Sequence, residues 1–244
     1  MNHIFNKQLH KFQLVVFDDI LVYSKTWEEH LRHLDKVMGI MESQSLFAKR
    51  SKCEFGMTKI LYLGHIISAR GVQVHQEKIQ AILVWLPPKI LLEMRGFLGL
   101  CSYYRRFVKG FSQIGAPLTE LTKRGSFHWD VQAQHTFDKL KEVMSTCPVL
   151  TLPDFTRPFI LKCDALGEGI GDPIAFESRK LSGAERLYSI YDKEMLAIMH
   201  TLTKFRQYLV GAKFVVRTYH NSLQYFLEQR DLNERQQGEQ NPGI

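Results

Sequence analysis

Leu14-Val15-Val16-Phe17-Asp18-Asp19-Ile20-Leu21-Val22-Tyr23 sets two adjacent carboxylates inside an otherwise continuous run of strand-forming apolar residues. Val, Ile, Phe and Tyr favour strands, whereas Asp is depleted from them. An ionised Asp is rarely buried without a partner. The stretch therefore predicts a hairpin with the acids at its tip and an apolar strand on either side. Two readings of that tip are open. It is a polar turn that happens to read Asp-Asp, or it is a platform for a hard divalent cation, which takes carboxylate oxygens together with substrate phosphates.

Bulk properties narrow the choice. The chain has 244 residues, enough to bury a core as one large domain or two small ones. Its net charge of +7 favours a polyanionic partner. An anionic membrane surface is the rival, yet no strongly basic amphipathic helix stands out. The four cysteines, Cys53, Cys101, Cys147 and Cys163, form no CxxC pair. That argues against zinc and against a disulfide scaffold, and suits a reducing compartment. No apolar run approaches membrane-spanning length and the first residues lack a signal-peptide core. The expectation is an intracellular protein of the cytoplasm or nucleus, with no membrane partner.

Outward from the hairpin, Thr26 and Glu29 form a capping-box signature. The helix it opens carries an apolar stripe at Trp27, Leu31, Leu34, Met38 and Met41, read as scaffold. Ala48-Lys49-Arg50-Ser51-Lys52 is a solvated basic run or a phosphate contact. Phe55-Gly56 and Ile60 to Ile67 predict a second strand pair, with a turn over Ala69 to Val72. His65 lies between apolar residues, where a lone imidazole is more often hydrogen-bonded than a ligand. Residues 77–85 predict a short helix stopped by Pro87-Pro88, and 92–108 a second with Phe97, Leu100, Tyr104 and Phe107 on one side. Tyr103-Tyr104-Arg105-Arg106 combines stacking rings with charge, as nucleic-acid surfaces do. The alternative is a core tyrosine beside a solvated basic edge.

Residues 110–125 read as a mixed connector and 131–144 as a helix burying Phe137, Leu140 and Met144. Three prolines between 148 and 158 suggest a domain boundary. Beyond it come a strand ending at Asp164, a glycine-rich turn at 167–171, and a long helix from about Glu185. That helix has a core stripe of Tyr188, Tyr191, Met195, Ile198, Leu202 and Phe205, with Glu194 beside it. A last strand spans Lys213 to Thr218, and the polar tail predicts disorder. Asp164 and Glu194 offer a second acidic cluster for a divalent metal, but where a third acid would be expected the chain has Tyr219.

These residues resemble a family. FDDILVYSK, EEHLRHLDKV, LFAKRSKCEF, YLGHII, RGFLGLCSYYRRFVKGFS, APLTELTK, PVLTLPDF, SRKLSGAERLYSIYDKEMLAI, KFVVRTYHNSL and FLEQRDL occur in that order. Together they are similar to the reverse transcriptase and ribonuclease H portion of plant gypsy-type LTR retrotransposon pol polyproteins. The resemblance implies an α+β fold: a partial reverse transcriptase palm over 1–75, thumb and connection over 76–150, a ribonuclease H-like α/β domain over 151–230 and a disordered tail over 231–244. It implies that Asp18 and Asp19 hold magnesium and the incoming deoxynucleotide, that Tyr62, Leu63, Gly64 and His65 position the primer end, and that residues 77–110 grip an RNA–DNA or DNA template-primer. It further implies that Asp164 and Glu194 are ribonuclease H metal ligands. Each intact family site uses two Mg2+ ions, which neutralise charge during phosphoryl transfer.

The chain also departs from the family pattern. It begins just upstream of the Asp pair, so it reads as a truncated copy without fingers. Val16 stands where the family has an aromatic residue, and a one-residue slip would turn side chains to the other face. Gly171-Asp172-Pro173-Ile174 replaces an expected strand, leaving the ribonuclease H-like sheet one strand short. Tyr219 occupies the place of a carboxylate, and a neutral phenol cannot stand in for a hard anionic ligand. The expectation is a polymerase and ribonuclease H fragment with impaired catalysis. The alternatives are a non-catalytic nucleic-acid-binding relic and a product without selected function.

Overall fold

A computed structural model describes residues 4–5, 11–16, 18–123, 125, 127–163 and 172–218. Its contacts divide the chain into two units, residues 1–75 and 76–244. Asp164, Tyr219, the glycine-rich turn and the tail lie outside the described residues.

The first unit begins with an antiparallel hairpin, β1 (Gln13–Val16) and β2 (Asp19–Val22), whose register pairs Gln13 with Val22, Val15 with Ile20 and Val16 with Asp19. Period-two alternation turns Val15, Ile20 and Val22 to one face. That face packs on α1 (Trp27–Ser43) in a cluster with Phe5, Val37 and Met41. Thr26 caps α1, its hydroxyl accepting from the Glu29 N–H at 3.2 Å, as the capping signature predicts. The expected stripe on α1 is buried only at its C-terminal end, at Met41, with Leu34 half-buried. Val37 and Met41 are buried, whereas Trp27 is 57% exposed and Leu31 and Met38 are also exposed. The face turned to the hairpin overlaps that stripe at Met41 and is offset from it toward Val37 and Ile40.

The predicted second strand pair is a three-stranded antiparallel meander of β3 (Lys59–Tyr62), β4 (His65–Ser68) and β5 (Gly71–Val74). Gly71 and Val72, read as turn, start the third strand. Leu63 and Gly64 connect β3 to β4 with φ of 48° and 71°. Two positive φ values make a type I′ turn, whose twist matches the flanking strands.

The second unit opens with helices α2 (Gln76–Leu83), α3 (Leu91–Tyr103), α4 (Phe111–Ile114), α5 (Ala116–Leu121) and α6 (Val131–Ser145). Two short helices thus occupy the predicted connector. The α3 helix stops at Tyr103 and gives way to a 3-10 turn over Arg105–Phe107. The core between these helices is aromatic: Phe97 lies 4.5 Å from Phe137, with Trp85 and Trp129 at 6.0 and 5.6 Å from one or the other. Lys141 sits 4.4 Å above the Phe137 ring and donates to the Trp85 carbonyl. Asp130 caps α6 by accepting from the Ala133 N–H at 2.7 Å.

Farther along, β6 (Phe159–Cys163) pairs in parallel with β7 (Phe214–Thr218), joined through α7 (Ile190–Lys204) and α8 (Arg206–Leu209). Parallel neighbours require such a crossover. Phe159, Leu161 and Leu209 form the cluster under this sheet, with Leu202, Phe205 and Val216 against them. The α7 stripe is half-buried along its length rather than enclosed.

Candidate metal and nucleic-acid site

Asp18 lies in the hairpin turn and Asp19 is the first residue of β2, so pairing of Val16 with Asp19 holds both acids at one end of a rigid ribbon. Both are exposed, and neither forms a hydrogen bond or ion pair with another described residue. In the meander, Tyr62 senses the second of them. Burial first, and then the charge of Asp19, push its phenol above the ordinary 10.0. The Tyr62 hydroxyl is enclosed and has no hydrogen-bond partner among the described residues.

That arrangement suits a hydrated divalent cation. Mg2+ commonly takes one or two carboxylates and keeps several waters, and an enclosed phenol O–H beside Asp19 can donate to such a water. Among the described residues no group of three His, Cys, Asp or Glu side chains comes together. The tip offers two carboxylates that could serve as hard ligands.

The Tyr62–His65 turn carries its residues differently. Tyr62 and His65 are register partners across the turn. The His65 Nδ1 lies 2.8 Å from the Leu63 carbonyl oxygen, and burial holds its pKa below the ordinary 6.5, partly countered by that carbonyl. His65 is thereby committed to its own turn.

The four residues at the end of α3 separate into two kinds. Tyr104 is 1% exposed and belongs to the core. It is not a stacking platform, because the 3-10 turn that follows α3 swings its ring inward. Tyr103 is 54% exposed and meets the Tyr104 ring edge-on at 4.9 Å. Arg106 is exposed. Arg105 is taken by the protein itself, donating to the Glu177 carboxylate at 2.7 Å, to the Ser178 carbonyl at 2.5 Å and to the Ser112 hydroxyl at 3.3 Å. Sequence reasoning missed Glu177. Its one signal is an isolated acid in Phe176-Glu177-Ser178-Arg179-Lys180, a segment whose other charges are basic.

Glu194 stands half-buried on α7. Its expected companion Asp164 and the degenerate position Tyr219 lie outside the described residues. The residues that precede them, Cys163 and Thr218, are register partners across β6 and β7. No helix among the described residues is long and apolar enough to cross a membrane.

Residues 1–67 match the family model described as reverse transcriptase (RNA-dependent DNA polymerase), and residues 129–216 match the RNase H-like domain found in reverse transcriptase. Among curated relatives, the retrovirus-related Pol polyprotein from transposon 297 of Drosophila melanogaster is 34% identical, over 92% of this chain and 22% of its own length. The Tf2-3 transposon polyprotein of Schizosaccharomyces pombe is 32% identical, over 91% of this chain and 18% of its own. The chain thus spans about a fifth of the length of these relatives. A foamy viral protease-reverse transcriptase in complex with RNA/DNA hybrid superposes with a TM-score of 0.83 at 23% identity, covering 98% of this chain and 34% of that one. The foamy viral enzyme in complex with dsDNA gives 0.81 at 23%, with 98% and 53% covered. At that identity the likeness speaks for the fold.

Proposed function

We propose that the chain, similar to reverse transcriptase over residues 1–67 and to the RNase H-like domain over 129–216, is of the retrotransposon Pol polyprotein type and handles an RNA–DNA or DNA template-primer with impaired catalysis. In this reading residues 1–75 are palm, 76–150 thumb and connection, and 151–230 the ribonuclease H-like part, of the plant gypsy kind. Asp18 and Asp19 hold divalent metal, which would supply charge neutralisation at the transferring phosphate. The Tyr62–His65 turn positions the primer end beside them. Asp164 and Glu194 play the corresponding part for hydrolysis of the RNA strand, with Tyr219 in place of a further anionic ligand.

One observation carries this reading: two exposed carboxylates on a strand-borne tip, without a hydrogen bond or ion pair among the described residues, with the phenol of Tyr62 close enough to feel the charge of Asp19. Impairment is read from Tyr219, a neutral phenol in the place of an anionic ligand, since two-metal chemistry loses most of its rate with one ligand gone. Primer extension on an RNA template with Mg2+ and deoxynucleotides is the direct test. Little or no product is expected, and robust synthesis abolished by Asp19→Asn would refute the impairment.

A second reading, a non-catalytic nucleic-acid-binding protein, is favoured by exposed Tyr103 and Arg106 and by the net charge of +7. Affinity for a primer-template should fall steeply with salt. Arg106→Ala should lower the slope of log affinity against log salt by roughly one phosphate contact, and Tyr103→Ala should weaken binding with little change in that slope. Absence of binding at low salt would end this reading.

A further inference from the structure

The open end of the Asp hairpin is tied to α1 by a constellation that neither reading uses. Beyond the Gln13–Val22 pair, the Tyr23 N–H donates to the Phe12 carbonyl at 2.9 Å, so the ribbon continues one step past its assigned strands. The Phe12 ring stacks on His33 at 3.9 Å and an interplanar angle of 3°. The Nδ1 of that same imidazole lies 2.7 Å from the Ser24 hydroxyl oxygen. His33 therefore touches both arms of the hairpin where they separate. His30, one turn earlier on α1, brings its own Nδ1 to 3.3 Å from the same hydroxyl.

A hydroxyl has one proton, so Ser24 can donate to only one of the two Nδ1 atoms. Its oxygen has two lone pairs and can accept from the other ring. Both imidazoles thus converge on one atom, which defines where Ser24 sits along the helix. Apolar packing of Val15 on Val37 and Met41 is adhesive but non-directional. A two-stranded hairpin is marginal by itself, and small changes of tilt at its open end are carried to its tip. Ser24 is also only two residues from the Thr26 cap, leaving little slack between hairpin and helix.

We infer that His33, with His30 and through Ser24, is a positioning residue for Asp18 and Asp19, setting the direction in which the carboxylate pair is presented to a divalent ion. The inference rests on the proposed metal-binding role of that pair.

Mn2+ serves as the probe, its binding to the full chain read from paramagnetic broadening of the Asp19 amide, alongside hydrogen exchange at the Tyr23 amide. Ser24→Ala and His33→Phe, which keeps the stack on Phe12, should each weaken Mn2+ binding about five- to tenfold. Each should also speed Tyr23 exchange by a similar factor. The double variant should be no worse than Ser24→Ala alone, because that change already removes the His33 contact along with the His30 one. Ser24→Thr, which retains the hydroxyl, should bind Mn2+ as the unaltered chain does. Mn2+ affinity held within about twofold in both single variants, or losses that multiply in the double variant, would overturn the inference. Should Mn2+ leave Asp19 undisturbed in the unaltered chain, the metal reading falls. Tyr23 exchange then decides the anchoring on its own, and unchanged exchange in both variants sinks it.

Discussion

Leu63 adopts φ of 48°, a left-handed conformation that a non-glycine residue with a bulky side chain rarely takes, and one such residue costs roughly 1–2 kcal/mol. The type I′ turn demands it, and Gly64 meets the same demand at φ 71° without penalty. Leu63→Asn should therefore stabilise the first unit by about 0.5–1 kcal/mol, seen as a higher urea midpoint with unchanged slope. The His65 contact is to the Leu63 backbone carbonyl and survives the change. Strain kept at a tip beside the Asp pair is what a functional constraint on that turn would leave behind. A second residue-scale expectation concerns acid. The Ser182 N–H, donating at 2.6 Å, and the Arg179 guanidinium hold the Glu185 carboxyl below its ordinary 4.5, at about 2. A depressed pKa means the interaction contributes fully above 4.5 and is lost as pH falls toward 2. The Ser182 amide resonance should hold its position down to about pH 4 and move only below it, and in Glu185→Gln that acid transition should vanish. Neither the conformation of Leu63 nor the pairing of Glu185 is legible in the sequence, because backbone φ and a carboxylate's partners are properties of the fold.

Elements were the most legible level. The hairpin, the start of α1 at Thr26, the span of α6 and both strands of the parallel pair follow from apolar periodicity and capping residues. Capping is local chemistry: a side-chain oxygen meets an N–H three residues on, and nothing distant is needed. Asp130→Ala should accordingly destabilise the second unit by about 1 kcal/mol in urea unfolding. A truncation inside the aromatic cluster should cost more, and Phe97→Ala is expected to lose about 3–5 kcal/mol because Phe97 is fully enclosed against Phe137 and Trp85. A loss below 1 kcal/mol would mean that the cluster is not the core of this unit. What the pattern could not supply was phase. On α1 the residues Trp27, Leu31, Leu34, Met38 and Met41 repeat at helical spacing, yet of these Met41 alone is buried against the hairpin, joined by Val37 and Ile40 from the neighbouring face. Two overlapping stripes on one helix have the same period, and only the shape of the partner surface chooses between them.

At the scale of the whole molecule, the segment 173–180 does something its composition does not announce. It runs alongside residues 105–120 and is fastened there repeatedly. The Phe176 N–H donates to the Arg106 carbonyl at 2.8 Å, the Ser112 N–H to the Ser178 hydroxyl at 2.9 Å, and Lys180 pairs with Glu120 at 2.7 Å. Glu177 is the hub, 2.7 Å from Arg105 and 3.5 Å from the His200 Nε2. Its side chain is 13% exposed and that of Arg105 37%, so the pair is only partly screened by water. Arg105→Ala should lower the stability of the second unit by about 2 kcal/mol, since it removes the guanidinium from the largely enclosed Glu177 carboxylate, while the Ser178 carbonyl keeps the Ser112 hydroxyl as donor. Unfolding followed through the fluorescence of Trp85 and Trp129 reports it, and an unmoved midpoint would show the clasp to be ornamental. The amino-acid sequence by itself determined the local alphabet of this protein: an acid-tipped hairpin, capped helices, a strand–helix–strand close, and a basic surface suited to polyanions. Only the tertiary structure decided that Tyr104 is core while Tyr103 is surface, that Arg105 answers to Glu177, and that His33 holds the hairpin. The physical reason is that period and capping are written in neighbouring residues, whereas burial and charge pairing are set by groups far apart in the chain.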